Sequence, residues 1–187
     1  MAERILIVDD EPGILHALQR LLRHGLAAAD GSRYIIDECA NGALAMEQAR
    51  RHPYAVAVSD YRMPEMNGVD FLTALRTLQP DCERIILSGY ADLNALVRAV
   101  NEAAIARFIA KPWADFELLS AVRQVLQVRD LVLENRRLAD LVRTQQGQIS
   151  AQEAELRRLE RLEPGITHVN WADDGSFILE DPGEVKL

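Results

Sequence analysis

Up to about residue 127 the chain alternates short apolar runs with amphipathic stretches. Four runs stand out: Ile5-Leu6-Ile7-Val8, Ala55-Val56-Ala57-Val58-Ser59, Ile85-Ile86-Leu87 and Phe108-Ile109-Ala110. Continuous apolar runs this short, bounded by breakers, predict strands buried on both faces of a parallel sheet. A further strand is expected near Tyr34-Ile35-Ile36, after an alanine- and glycine-rich loop from His24 to Ser32. Between the strands the apolar positions recur every third or fourth residue. Pro12 suits a first helical position, and Ile14, Leu15, Leu18, Leu21 and Leu22 form a stripe behind it. Asn41-Gly42 opens a second helix ending near Arg51, before Pro53. The turn-rich Met63-Pro64-Glu65-Met66-Asn67-Gly68 precedes a third, through Phe71, Leu72, Leu75 and Leu78, that stops at Pro80. Asp92 can cap a fourth carrying Leu93, Leu96, Val97 and Val100, and Asp115 can cap a fifth. Five strands alternating with five helices predict a doubly wound α/β domain over residues 1–127, with a five-stranded parallel sheet.

The fifth helix does not stop where such a domain would end. From Val128 a heptad register holds, with Val128, Asn135, Val142, Ile149 and Leu156 at a, and Leu131, Leu138, Gln145, Gln152 and Leu159 at d. β-branched residues at a, leucine at d and a single asparagine at a favour a parallel two-stranded coil. Five heptads make about 54 Å of helix, too long for a domain of this size to cover. Residues 128–163 are therefore expected to form a dimerisation coil. Two features weaken its seam: glutamine at two d positions, and Glu155 at g facing Glu160 at e in a parallel pair. Pro164-Gly165 ends the helix, and residues 164–187 hold two β-like pieces around Asp173-Asp174-Gly175-Ser176, a possible hairpin.

Composition narrows the class. An apolar fraction of 49% permits a real core. No run approaches the roughly 18 residues that span a bilayer, and the first apolar stretch leads straight into Asp9-Asp10, unlike a signal peptide. Cys39 and Cys82 are too few for a disulfide framework and read as buried structural thiols in a reducing cytoplasm. A formal charge of −8 argues against direct nucleic-acid binding, which needs clustered positive charge.

The strand ends carry the chemistry. Each of the four apolar runs ends in or leads to a reactive polar residue: Asp9-Asp10, Asp60, Ser88 and Lys111-Pro112. In open parallel sheets the ligand crevice lies at the carboxyl ends of the strands. Three carboxylates gathered there would repel one another unless a cation sits among them, and Mg²⁺ takes one or two carboxylates together with waters and phosphate oxygens. One carboxylate can then act as a nucleophile toward a phosphoryl donor, with a cation stabilising the transferring group. Of the 21 basic residues, Lys111 and Lys186 are the only lysines, so 19 are arginines. A lysine kept at a strand end in so arginine-rich a chain suits contact with a phosphoryl oxygen, where a compact ammonium fits better than a rigid guanidinium.

These motifs resemble the receiver domain of two-component response regulators. The matching segments are Ile5-Leu6-Ile7-Val8-Asp9-Asp10-Glu11-Pro12, Ser59-Asp60-Tyr61-Arg62-Met63-Pro64-Glu65-Met66-Asn67-Gly68, Leu87-Ser88-Gly89-Tyr90 and Phe108-Ile109-Ala110-Lys111-Pro112-Trp113. The stretch from Gly89 to Trp113 is most similar to receivers of HD-GYP phosphodiesterases and hydrogenase-type regulators. The resemblance implies a flavodoxin-like fold with Asp60 as phosphoacceptor. It implies Mg²⁺ (or Mn²⁺) held by Asp10, Asp60 and the Arg62 backbone carbonyl, with Asp9 acting through water. Ser88 and Phe108 match the switch pair, Lys111 the phosphate-contacting lysine, and Arg62 and Tyr90 the positions that tune phosphate lifetime. It also implies a cis peptide at Lys111-Pro112.

The expected protein is then a cytoplasmic response regulator, not an enzyme in its own right. It takes phosphate from a histidine kinase or phosphotransfer protein and signals through a parallel homodimeric coil to an unidentified protein target. Competing readings are a receiver and linker from a longer regulator, a phosphate sink, and a small Mg²⁺-dependent phosphohydrolase. The last needs a substrate pocket and a general acid that the sequence does not supply.

Overall fold

A computed structural model describes residues 3–28, 31–89 and 103–162. The predicted fourth helix, Tyr90 and the possible hairpin of residues 164–187 lie outside the described residues. The elements run β1 (Arg4–Val8), α1 (Pro12–Gly25), β2 (Ile35–Cys39), α2 (Gly42–Arg51), β3 (Val56–Asp60), α3 (Gly68–Leu78), β4 (Glu83–Ser88), β5 (Arg107–Ala110) and α4 (Asp115–Leu162), the last being the predicted fifth helix. The strands form one parallel sheet in the order β2-β1-β3-β4-β5. This is the five-stranded, doubly wound fold that the pattern predicts.

Side chains alternate across a strand, so β1, β3 and β4 each feed two cores. Ile5, Ile7, Val56, Val58, Ile85 and Leu87 face α1 and the first turns of α4, where Leu18, Leu22, Leu118 and Val122 are fully buried. Leu6, Val8, Ala57 and Ile86 face α2 and α3, packing with Phe71, Leu72 and Leu75. Double-sided burial is why β1, β3 and β4 read as unbroken apolar runs rather than as alternating ones.

The edge strands differ from that expectation. β5 is not buried on both faces: Arg107 is exposed and Phe108 is 37% exposed. On the other edge, β2 starts one residue later than the predicted strand and continues through Asp37-Glu38-Cys39. Asp37 is tolerated because Arg4 pairs with it at 2.7 Å and the Tyr54 hydroxyl donates to it at 2.8 Å. Asp115 lies within the first turn of α4 rather than capping it, while Asn41 and Asn67 cap α2 and α3 through their side chains.

The chain divides into two compact units, Met1–Leu133 and Glu134–Leu187. In the first, Arg129 of α4 donates to Glu3 at 2.8 Å and to the Asp81 carbonyl at 3.0 Å. Two parts of the chain far apart in sequence are thereby fastened to the helix. In the second unit, residues 134–162 are one unbroken helix, and Leu138, Val142, Leu156 and Leu159 are exposed on it. Among the described residues no helix is long and apolar enough to cross a membrane. Cys39 and Cys82 are free and buried, as expected, and burial pushes both thiols up, to about 11 and about 12.

Candidate phosphoacceptor site

The strand order reverses direction between β1 and β3, and a ligand crevice opens at the carboxyl ends of strands at such a switch point. β1 runs into Asp9 there, and β3 ends in Asp60 beside it. Asp9 is fully buried, Asp60 nearly so, and Asp10 is exposed at the mouth. Lys111, just past β5, reaches across both buried carboxylates. Its Nζ lies 2.8 Å from Asp9 Oδ2 and 2.5 Å from Asp60 Oδ1. Burial is the largest influence on that ammonium and pulls its pKa down. Hydrogen bonds and attraction from Asp60 and Asp9 together outweigh it, so the pKa stands above the usual lysine value.

Backbone contacts hold each functional group in place. The Glu11 amide donates to Asp9 Oδ1 at 2.9 Å, and the Arg62 amide to Asp60 Oδ2 at 2.6 Å. Lys111 is tied to β4 through its own amide, which donates to the Ser88 carbonyl at 2.8 Å. The Lys111-Pro112 peptide is cis. The loop after Asp60 is closed by the Gly68 amide donating to the Tyr61 carbonyl at 2.9 Å. A Cβ on Gly68 would stand 2.0 Å from the Asp60 carbonyl oxygen, so only glycine lets α3 begin this close to the end of β3.

Most of the predicted residues converge here. Asp9, Asp10, Asp60, Ser88 and Lys111 all stand at the carboxyl ends of their strands or just past them. Ser88 is buried, its hydroxyl donating to the Gly89 carbonyl at 3.1 Å. Arg62 is exposed at the rim, its guanidinium Nη2 3.8 Å from where a Cβ on Gly89 would lie. Phe108 sits one strand further out, on the exposed edge of β5. Two contributors were not singled out from the sequence. Gly68 was legible only as part of a turn, and Ser59, whose hydroxyl donates to the Asp60 carbonyl at 3.0 Å, read simply as the end of an apolar run.

Among the described residues no three carboxylate, imidazole or thiol groups are gathered as a ready ligand set. The donor chemistry nevertheless fits a hard divalent cation. Two buried carboxylates share one ammonium, a third stands at the mouth, and Mg²⁺ needs only one or two carboxylates because it keeps several waters.

Residues 5–123 match the response regulator receiver domain family, and the chain belongs to it. Among relatives, it is 36% identical over 145 residues to the hydrogenase transcriptional regulatory protein HoxA of Cupriavidus necator, spanning 75% of this chain and 27% of that protein. It is 35% identical over 136 residues to the C4-dicarboxylate transport transcriptional regulatory protein DctD of Pseudomonas aeruginosa, spanning 72% of this chain and 28% of that protein. The chain thus corresponds to little more than a quarter of these relatives. Among solved structures, the signal receiver domain of an HD domain-containing protein from Pseudomonas fluorescens Pf-5 superposes with a TM-score of 0.62 at 30% identity, covering 70% of this chain and 98% of that one. These relatives include a hydrogenase regulator, one of the two groups that the sequence motifs resemble, and the receiver of an HD domain-containing protein.

Proposed function

We propose that the chain is a response regulator that accepts a phosphoryl group on Asp60 and passes the signal on through a dimeric coiled coil formed by α4. The observation that carries the first half is Lys111 bridging Asp9 and Asp60 at the switch point of the sheet. The donor is a phosphohistidine on a histidine kinase or phosphotransfer protein. An Asp60 carboxylate oxygen attacks phosphorus, the P–O bond forms as the P–N bond breaks, and the imidazole leaves with its electron pair. Little covalent chemistry falls to the protein in such a transfer, and catalysis is mainly positioning and charge stabilisation. The Arg62 amide aims the Asp60 carboxylate, and Lys111 exchanges its contact with Asp60 for one with a phosphoryl oxygen. Ser88 turns its hydroxyl from the Gly89 carbonyl to the same group. Asp10, Asp60 and the Arg62 carbonyl would hold Mg²⁺ (or Mn²⁺), with Asp9 acting through water; when bound, the ion offsets charge on the transferring group.

The second half rests on α4. The same helix packs in the core through Leu118 and Val122 and carries exposed Val128, Leu131, Leu138, Val142, Leu156 and Leu159 at seam positions, with Asn135 at a. Ile149 belongs to the same register. Apolar residues repeating in heptads and left exposed call for a partner helix, and a parallel second copy satisfies the pattern of β-branched residues at a and leucine at d. Phosphorylation adds about −1.5 to −2 charge beside Ser88. The β4 and β5 ends respond, and α4 carries the change toward a protein target. The chain acts as a phosphoacceptor that promotes its own transfer, and its setting is the cytoplasm.

Radiolabelled acetyl phosphate tests the acceptor. Labelling of the wild-type chain in Mg²⁺ and its loss in Asp60→Asn is the expected result; labelling that persists in Asp60→Asn removes Asp60 from the role.

A further inference from the structure

The last three turns of α4 carry a charge pattern that a homodimer does not use. Leu156 and Leu159 are exposed there, and Leu162 ends the helix. In the heptad register the flanking e and g positions from residue 150 onward hold three charged residues, Glu153, Glu155 and Glu160, all of one sign. The arginines of the same stretch, Arg157, Arg158 and Arg161, fall at b, c and f, on the side of the helix away from the seam. Arg158 meets Glu155 within the helix at 3.5 Å. An exposed pair of this kind, three residues apart, contributes little and leaves the carboxylate at the seam margin.

Nearer the receiver the margins differ: Val132, Ala139 and Gln146 stand at e, and Gln127, Glu134 and Leu141 at g. No glutamate there faces another in a parallel pair. Further on, Glu155 of one copy faces Glu160 of the other twice per dimer, and Gln152 occupies a d position. Like charges across the e and g positions select against a pairing, and opposite charges select for one.

We propose that residues 150–162 form a docking seam for a different helix: an amphipathic one whose apolar stripe is flanked by lysine or arginine. The inference rests on the coiled-coil reading of α4 and specifies the chemistry of its protein target. The nearer heptads hold two copies together, and the acidic-flanked end recruits the partner.

The test uses the full chain and three labelled 21-residue peptides. Two have leucine at every a and d, one with lysine and one with glutamate at every e and g; the third has the charge of the lysine peptide with serine at a and d. Anisotropy should show the lysine-flanked leucine peptide binding at least tenfold more tightly than either of the others. The advantage should shrink in added salt and reverse between lysine and glutamate peptides in Glu155→Lys/Glu160→Lys. Equal binding of the two leucine peptides overturns the proposal, as does equal binding of the two lysine peptides. The mass of the unmixed chain separates this from the underlying reading. A dimer that prefers neither leucine peptide keeps the coil and removes the partner seam. A monomer that still selects the lysine-flanked leucine peptide keeps the seam and removes the homodimer.

Discussion

Asp60 is held by contacts that leave its backbone almost no room. The Arg62 amide fixes one carboxylate oxygen, Lys111 the other, and the bare α-carbon of Gly68 lies against its carbonyl. The obstruction at Gly68 is backbone, which cannot turn aside as a side chain would. Gly68→Ala should therefore destabilise the domain by about 2 kcal/mol or more, on the scale of overpacked cores. It should also slow acetyl phosphate labelling of Asp60, read in the same preparation by urea unfolding and radiolabel. Glu65, in the same loop, carries a different strain. Its φ is 65°, in the left-handed region that costs a residue with a side chain about 1 kcal/mol or more. Glu65→Gly should raise stability by about 0.5 kcal/mol after the extra freedom of glycine in the unfolded chain is discounted, whereas Glu65→Ala should bring no such gain. Urea midpoints of the two variants decide it. Of these features, the reactive residues could be read from the sequence because strand ends and a rare lysine announce them. The strain at Glu65 and the close approach at Gly68 could not, since the turn-forming composition of Met63–Gly68 fits many loop paths.

Among elements, legibility followed burial. β1, β3 and β4 are apolar without interruption because helices cover both faces, and the ends of α2 and α3 are marked by asparagine caps and prolines. β2 and β5 lie at the edges, where solvent relaxes the demand for apolar residues, so Asp37 and Arg107 blur their strand signal. α4 was legible as a long helix from its heptads. The point where it is fastened was not, because Arg129 is one arginine among 19 and its partners, Glu3 and the Asp81 carbonyl, lie far away in sequence. Its side chain is only 14% exposed and bonds both Glu3, just before β1, and the α3–β4 connection. Arg129→Ala should cost about 1–2 kcal/mol, the scale of hydrogen bonds to a charged group that is mostly shielded from water. Amide exchange should speed up over residues 127–133 more than in β1 or β3; uniform acceleration would mean that Arg129 contributes only to global stability.

For the whole molecule, the proposed function joins a receiver site centred on Asp60 to a seam on α4 that responds to it. The site is strongly marked, because four strand ends place three carboxylates, a hydroxyl and an ammonium along one edge of the sheet, where the ammonium bridges two of the carboxylates. The output is marked by exposed apolar positions on a helix, a pattern that states the need for a partner more clearly than the partner's identity. Beryllofluoride, which mimics the phosphoryl group on an aspartate, tests both together. The solution mass of the full chain should be measured over a range of concentrations, with and without beryllofluoride and Mg²⁺, for the wild type and for Asp60→Asn. The expected result is a dimer of twice the 21.0 kDa chain whose dissociation constant changes severalfold on activation in the wild type and stays fixed in Asp60→Asn. A chain that stays monomeric throughout, or a dimer whose dissociation constant ignores beryllofluoride, would contradict it.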